Sequence, residues 1–177
     1  IREELGLEPD KPIIKTLSSM PPEKANPLRK RLESIEIELA YKALPASGVI
    51  ELLDCLQNMD YRLGIVTLNT RENAWRTLET LGIGNYFENS FVMGRSCTEP
   101  KPSPEGVLRL MEQWQTNPGD ILVVGDYIYD LQMGRSAGAA TVHVNSESHF
   151  PWPEMADLQC TSLSELHQQL KRLSIHS

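Results

Sequence analysis

Residues 121–134 read ILVVGDYIYDLQMG. Four apolar residues run straight into Gly125 and Asp126, and a second carboxylate, Asp130, follows four positions on. A short apolar run bounded by a turn residue predicts a buried strand. Two carboxylates at the end of such a strand need a reason. A charge taken out of water is costly unless it is paired or holds a metal. The flanking residues say what kind of sheet holds the strand. Leu131 and Met133 mark a following helix, and AATVHV (139–144) is a further apolar run.

The same alternation extends upstream. RLGIVT (62–67) predicts a strand ending at Thr67, and RENAWRTLETLGIG (71–84) a helix with Trp75, Leu78 and Leu81 inward and Gly82 at its end. SFVMG (90–94) predicts a short strand. Ser103 and Pro104 open a helix with Val107, Leu108, Met111 and Trp114 on one side. Ser47 is placed to cap a helix carrying Val49, Ile50, Leu53 and Leu56. At the far end, Ser162 and Glu165 form a capping box before Leu166 and Leu170. Strands alternating with helices imply βαβ units, a parallel sheet and an α/β fold, with apolar strands covered on both faces. Residues 1 to 44 differ. IREELGL (1–7) looks helical, and Leu28, Leu32, Ile35 and Leu39 make one helical stripe. EPDKP (8–12) and SMPPEKANP (19–27) are turns or helix breaks. The expected division is a helical module over 1–44 and an α/β core over 45–177.

Composition narrows the function. A net charge of −7 over 177 residues argues against a nucleic-acid or anionic-membrane surface, both of which need clustered Lys and Arg. No apolar run approaches the ~20 residues of a membrane span. Cys55, Cys97 and Cys160 are odd in number and widely spaced. They suggest no disulfide framework or zinc site, and a reducing, cytoplasmic compartment fits them.

Ligands of open α/β sheets bind beyond the carboxyl ends of the strands. Thr67, Leu68 and Asn69 follow the first strand, Lys101 lies in the loop after the second, and Asp126 and Asp130 follow the third. A hydroxyl, an ammonium and two carboxylates at one sheet edge suit a phosphate held beside a hard divalent cation. Hydroxyl and backbone N–H groups donate to phosphate oxygens, and Lys neutralises charge. Carboxylates hold Mg2+, which keeps several waters. Ordinary readings stand beside these. Thr67 can simply close a strand, Lys101 can be a solvated loop residue, and Asp126 can cap a helix. Asp130 can be a first-turn acid favoured by the helix dipole. Asn69 is read first as the cap of the next helix. The four histidines read as structural or exposed and Trp75 and Trp114 as core, while HFPWPEM (149–155) either packs against the C-terminal helix or lines the site rim, with packing preferred.

Taken as an ordered set, LGIVTLNT (63–70), PKPSP (100–104) and VVGDYIYDLQMGRSAGAATVHV (123–144) resemble the second, third and fourth motifs of the haloacid dehalogenase-like hydrolases. LGIGNYFENSFVMGRS (81–96) resembles the link between the second and third. The likeness is greatest to the phosphoglycolate-phosphatase-like branch. It implies a Rossmann-like parallel sheet with helices on both faces and a Mg2+-dependent phosphatase of a small phosphorylated metabolite. It also implies roles. Thr67 and the Leu68 amide, with Asn69 nearby, would bind phosphate. Lys101 would bridge phosphate and nucleophile. Asp126 would ligate the metal, and Asp130 would support Lys101 or metal-bound water. Residues 1–44 would be the cap that selects substrate.

The family's first motif, DxDGT, supplies the nucleophile on the central strand, and no DxDGT occurs in these 177 residues. The expectation is that it lies upstream of Ile1, and that the chain alone folds poorly at best. The alternative is a non-catalytic phosphate-binding or regulatory protein. A receiver-type signalling domain fits poorly, because its acidic ligands precede the Thr.

Overall fold

The computed structural model describes residues 1–8 and 11–174. The chain divides into two compact units, residues 1–43 and 44–177.

The first unit is helical. Residues 2–6 form turns rather than a helix. α1 (Ile13–Ser19) and α2 (Pro22–Tyr41) follow. Leu5, Leu17, Leu32 and Ile35 form its buried cluster. Two sequence expectations are corrected. The break at Met20 and Pro21 is real, but α2 starts at Pro22 and runs through Pro27. An interior proline forfeits one backbone bond, and burial of Leu32 and Ile35 on the same helix offsets that loss. Leu39 is not part of the buried stripe and is 50% exposed. Seven-residue α1 spans only about 10 Å, against about 30 Å for twenty-residue α2. The far end of α2 therefore outruns it.

The second unit is α/β with parallel strands. β1 (Ile65–Val66) pairs with β2 (Val92–Met93), Ile65 opposite Val92. β3 (Leu122–Gly125), β4 (Ala140–Val144) and β5 (Leu158–Cys160) form a second sheet in that order. Gly125 lies opposite His143, and Val142 opposite Leu158. The helices are α3 (Val49–Asn58), α4 (Arg71–Thr80), α5 (Glu105–Trp114), α6 (Ile128–Ser136) and α7 (Leu163–Ser174). Val66 of β1 and Val123 of β3 pack on one cluster, built on Val107, Met111 and Met133. The two short sheets thus share a core. Val142, Cys160, Leu52 and Leu166 form a further cluster. All three cysteines are unpaired, and burial pushes the Cys160 thiol up. No described helix is long and apolar enough to cross a membrane.

Local differences from the sequence reading have local causes. Ser47 does not cap α3. Gly48 does so with φ +80°, and a Cβ there would lie 2.2 Å from Ser164 Oγ, so close approach of α7 demands glycine. Leu108 of α5 is 46% exposed, because the buried stripe is Val107, Leu110 and Met111. The Glu165 carboxylate accepts from the Thr161 N–H and hydroxyl rather than from Ser162, while Ser162 Oγ accepts from the Glu165 N–H. β5 was not foreseen. β3 is not covered on both faces: Leu122 and Val124 are 41% and 40% exposed.

Candidate active site

Thr67 stands immediately after β1, where its N–H extends the parallel ladder to the Met93 carbonyl at 2.9 Å. Its Oγ1 accepts from the Asn69 N–H at 3.1 Å. The turn is pinned from the next loop. The Arg95 N–H donates to the Asn69 carbonyl at 2.8 Å, and Arg95 Nη1 donates to the Leu68 carbonyl at 3.3 Å. No described residue accepts from the Leu68 N–H, which leaves that donor for a ligand. Asn69 is not the cap of α4: Thr70 is, accepting from the Asn73 N–H at 3.2 Å.

Lys101 lies in the loop between β2 and α5, and its peptide bond to Pro102 is cis. The loop is tied to α5 by the Glu105 carboxylate, which accepts from the Glu99 N–H at 2.9 Å. That bond holds the Glu105 carboxyl below its ordinary range. Lys101 Nζ donates to Asp130 Oδ1 at 2.5 Å. The two side chains are 14% and 12% exposed, so each charge depends on the other. The second Asp130 oxygen accepts from the Tyr127 N–H at 3.3 Å. Asp130 reaches this position because residue 125 has no side chain. A Cβ on Gly125 would lie 2.1 Å from the Asp130 Cβ.

Asp126 contrasts with Asp130. It is exposed, and no described residue bonds its carboxylate. It does not cap α6, whose N-cap is Tyr127. Its backbone is held from behind by His143 of β4, which is fully buried and places Nε2 3.3 Å from the Asp126 carbonyl oxygen. That distance suits an Nε2–H donor. His143 Nδ1 is buried without a partner among the described residues.

Thr67, Leu68, Asn69, Lys101, Asp126 and Asp130 all line one pocket of about 230 Å3. The chemistry of the donors bears on a metal. No group of three His, Cys, Asp or Glu among the described residues could hold one alone. One free carboxylate at the pocket fits Mg2+, a cation that takes few protein ligands and completes its shell with water and phosphate. Both Asp130 oxygens are already engaged. Asp126 is thus the carboxylate that could hold a cation, whereas the Asp130 carboxylate is taken up by Lys101 Nζ and the Tyr127 N–H.

Sequence reading missed Tyr127 and Tyr129, which complete the pocket lining. For HFPWPEM, read first as packing on the C-terminal helix and second as the rim of the site, the ring contacts run to the pocket-lining Tyr127. Trp152 packs edge-to-face on Tyr127 at 5.4 Å and stacks on His143, and Phe150 meets the His143 ring edge-on at 5.2 Å. The legible signal was the GDYIYD spacing, which puts two aromatic residues between the two carboxylates. His176 lies outside the described residues.

The haloacid dehalogenase-like hydrolase family matches residues 2–144. The chain belongs to this family. It is 34% identical over 96 residues to the pyrophosphatase PpaX of Bacillus velezensis, a match covering 54% of this chain and 44% of that protein. The chain thus matches less than half the length of that curated relative. Its fold is similar to a predicted phosphoglycolate phosphatase from Haemophilus somnus, with a TM-score of 0.73 and 19% identity over 96% of this chain and 72% of that one. It is also similar to the hydrolase YfnB of Bacillus subtilis, solved bound to magnesium. There the TM-score is 0.65 and the identity 23%, over 83% of this chain and 62% of that one.

Proposed function

We propose that the chain is part of a Mg2+-dependent phosphatase of a small phosphomonoester, of the phosphoglycolate kind, acting through an aspartyl-phosphate. The observation that carries the reading is the Lys101–Asp130 pair at 2.5 Å, in one pocket with Thr67 and the free carboxylate of Asp126. Thr67 and the Leu68 N–H hold phosphate oxygens, and Lys101 sets a positive charge against them. Asp130 keeps Lys101 in place. Asp126 holds Mg2+, which supplies charge neutralisation at the phosphoryl group. The names of two relatives, a pyrophosphatase and a predicted phosphoglycolate phosphatase, support phosphoryl chemistry. The magnesium in YfnB supports the metal.

The nucleophile belongs to a DxDGT segment preceding residue 1. Its strand pairs with the edges of β1 and β3 that no described strand occupies. Residues 1–44 act as a substrate-selecting cap. No nucleic-acid or membrane partner enters this reading, and a cytoplasmic setting suits the unpaired cysteines. The test is phosphate release from a broad phosphomonoester panel by the full-length protein, with Mg2+ and with a chelator. Release that requires Mg2+ and is lost in Lys101→Met is expected. No release from any ester by a protein carrying an intact DxDGT would overturn the enzyme reading in favour of a non-catalytic phosphate-binding protein.

A further inference from the structure

We infer that the pocket takes a phosphomonoester whose organic part is a flat aromatic or heteroaromatic ring, seated against Tyr127 and Tyr129. The inference rests on the phosphatase reading and changes only the organic part, from a two-carbon acid to a ring. Tyr127 is 45% exposed and lines the pocket, and its ring is contacted by two others. Tyr129 meets it edge-to-face at 5.1 Å and 89°, and Trp152 does so at 5.4 Å and 84°. Trp152 is itself stacked at 27° on the fully buried His143. The rings run without interruption from the core to the pocket.

An aromatic ring already held in place loses little conformational freedom when a ligand covers it, so its contact is retained as affinity. The same pocket carries the cation Lys101 and the hydroxyl of Thr67, which suit the phosphoryl end. A short carboxylic acid would leave the tyrosine rings in water. A flat ring covers apolar surface and gains the edge-to-face or offset contacts that aromatic pairs favour.

The experiment uses the full-length protein with Mg2+ and two matched esters, benzyl phosphate and cyclohexylmethyl phosphate. Both release a primary alcohol of similar size, and only one ring is flat. The corresponding benzyl- and cyclohexylmethylphosphonates report binding without turnover, by titration calorimetry. The benzyl compounds are expected to win by about two- to tenfold in kcat/KM and in Kd. In Tyr127→Leu and Tyr129→Leu the ratio falls to about one, while Tyr127→Phe keeps it. A ratio of one in the unaltered protein, or a ratio the leucine variants do not move, overturns the ring site. Equal hydrolysis of both esters overturns it and leaves the phosphatase standing. Preferred binding of benzylphosphonate with no hydrolysis of either ester supports the ring site and overturns the phosphatase.

Discussion

β3 and β4 are neighbours in one parallel ladder, yet they live in different environments. Thr141, Val142 and His143 of β4 are fully buried, whereas Leu122 and Val124 of β3 are 41% and 40% exposed. Composition does not explain this, because LVVG is more apolar than ATVHV. The difference is partnership. Among the described residues, β4 is hydrogen-bonded on both sides, to β3 and β5, whereas β3 is bonded only to β4 and β1 only to β2. A strand's burial is set by what lies beside it. The two singly paired strands are also those that deliver Thr67 and Asp126 to the pocket. The strand that supports the site from behind, through His143, is the fully packed one.

The largest expected effect separates chemistry at the end of β3 from support in β4. Asp126→Ala in the full-length protein should lower kcat/KM about a thousandfold, roughly 4 kcal/mol of transition-state stabilisation. Its thermal midpoint should hardly change, since an exposed carboxylate without a partner contributes little to stability. His143→Ala should do the reverse, costing roughly 2–4 kcal/mol of stability through a cavity and an unpaired Asp126 carbonyl. Parallel melts and phosphate-release assays decide between them. If Asp126→Ala destabilised as much as His143→Ala, the contrast between the strands would be broken.

A matched valine pair sharpens the comparison next. Val142→Ala should cost about 2–3 kcal/mol, as for a fully buried aliphatic side chain. Val124→Ala in the 177-residue chain should cost less than about 1 kcal/mol, given its exposure. In a longer protein carrying the proposed DxDGT strand, the Val124 cost should rise toward that of Val142. Denaturant titration of both parent proteins and of their Val124→Ala and Val142→Ala variants reads this directly. An unchanged Val124 cost in the longer protein would mean that nothing covers β3.

That pair also shows what could be read from the sequence. ILVVG announces a buried strand, and nothing in its own residues says that a neighbour is absent. The ladder order is a long-range fact carried by no local pattern. Thr67, Leu68, Asn69, Lys101, Asp126 and Asp130 could be picked out because each follows a strand in chain order, and the structure brings all six to one pocket. Tyr127 and Tyr129 could not, since an aromatic residue between two aspartates reads equally well as core or surface. Trp152 lies more than twenty residues away in a proline-broken segment, and only the tertiary fold brings it to Tyr127. β5 was missed because LQC is three residues long, and Ser47 was misread because the contact with α7 that demands glycine at 48 is invisible locally.

The smallest expected effect concerns what holds β4 in place. The Thr141 N–H donates to Asp157 Oδ2 at 2.8 Å, and Arg135 pairs with the other oxygen at 2.9 Å. The Thr141 amide above all, with help from Arg135 and against some burial, holds the Asp157 carboxyl below its ordinary value of 3.8. A carboxyl lowered by folding adds stability above its unfolded value, near pH 3.9, and loses it as pH falls through the folded one. The Asp157 side chain is 44% exposed, so solvent screening keeps the gain below about 1 kcal/mol. Asp157→Asn should therefore melt slightly lower than the unaltered protein at pH 7. The gap should close as the pH drops below about 4, where the unfolded carboxyl takes up its proton, and on down through the lower range in which the native one does. A gap that stayed constant from pH 7 to pH 2.5 would show that the carboxylate's charge plays no part in holding β4, and that hydrogen-bonding shape alone suffices.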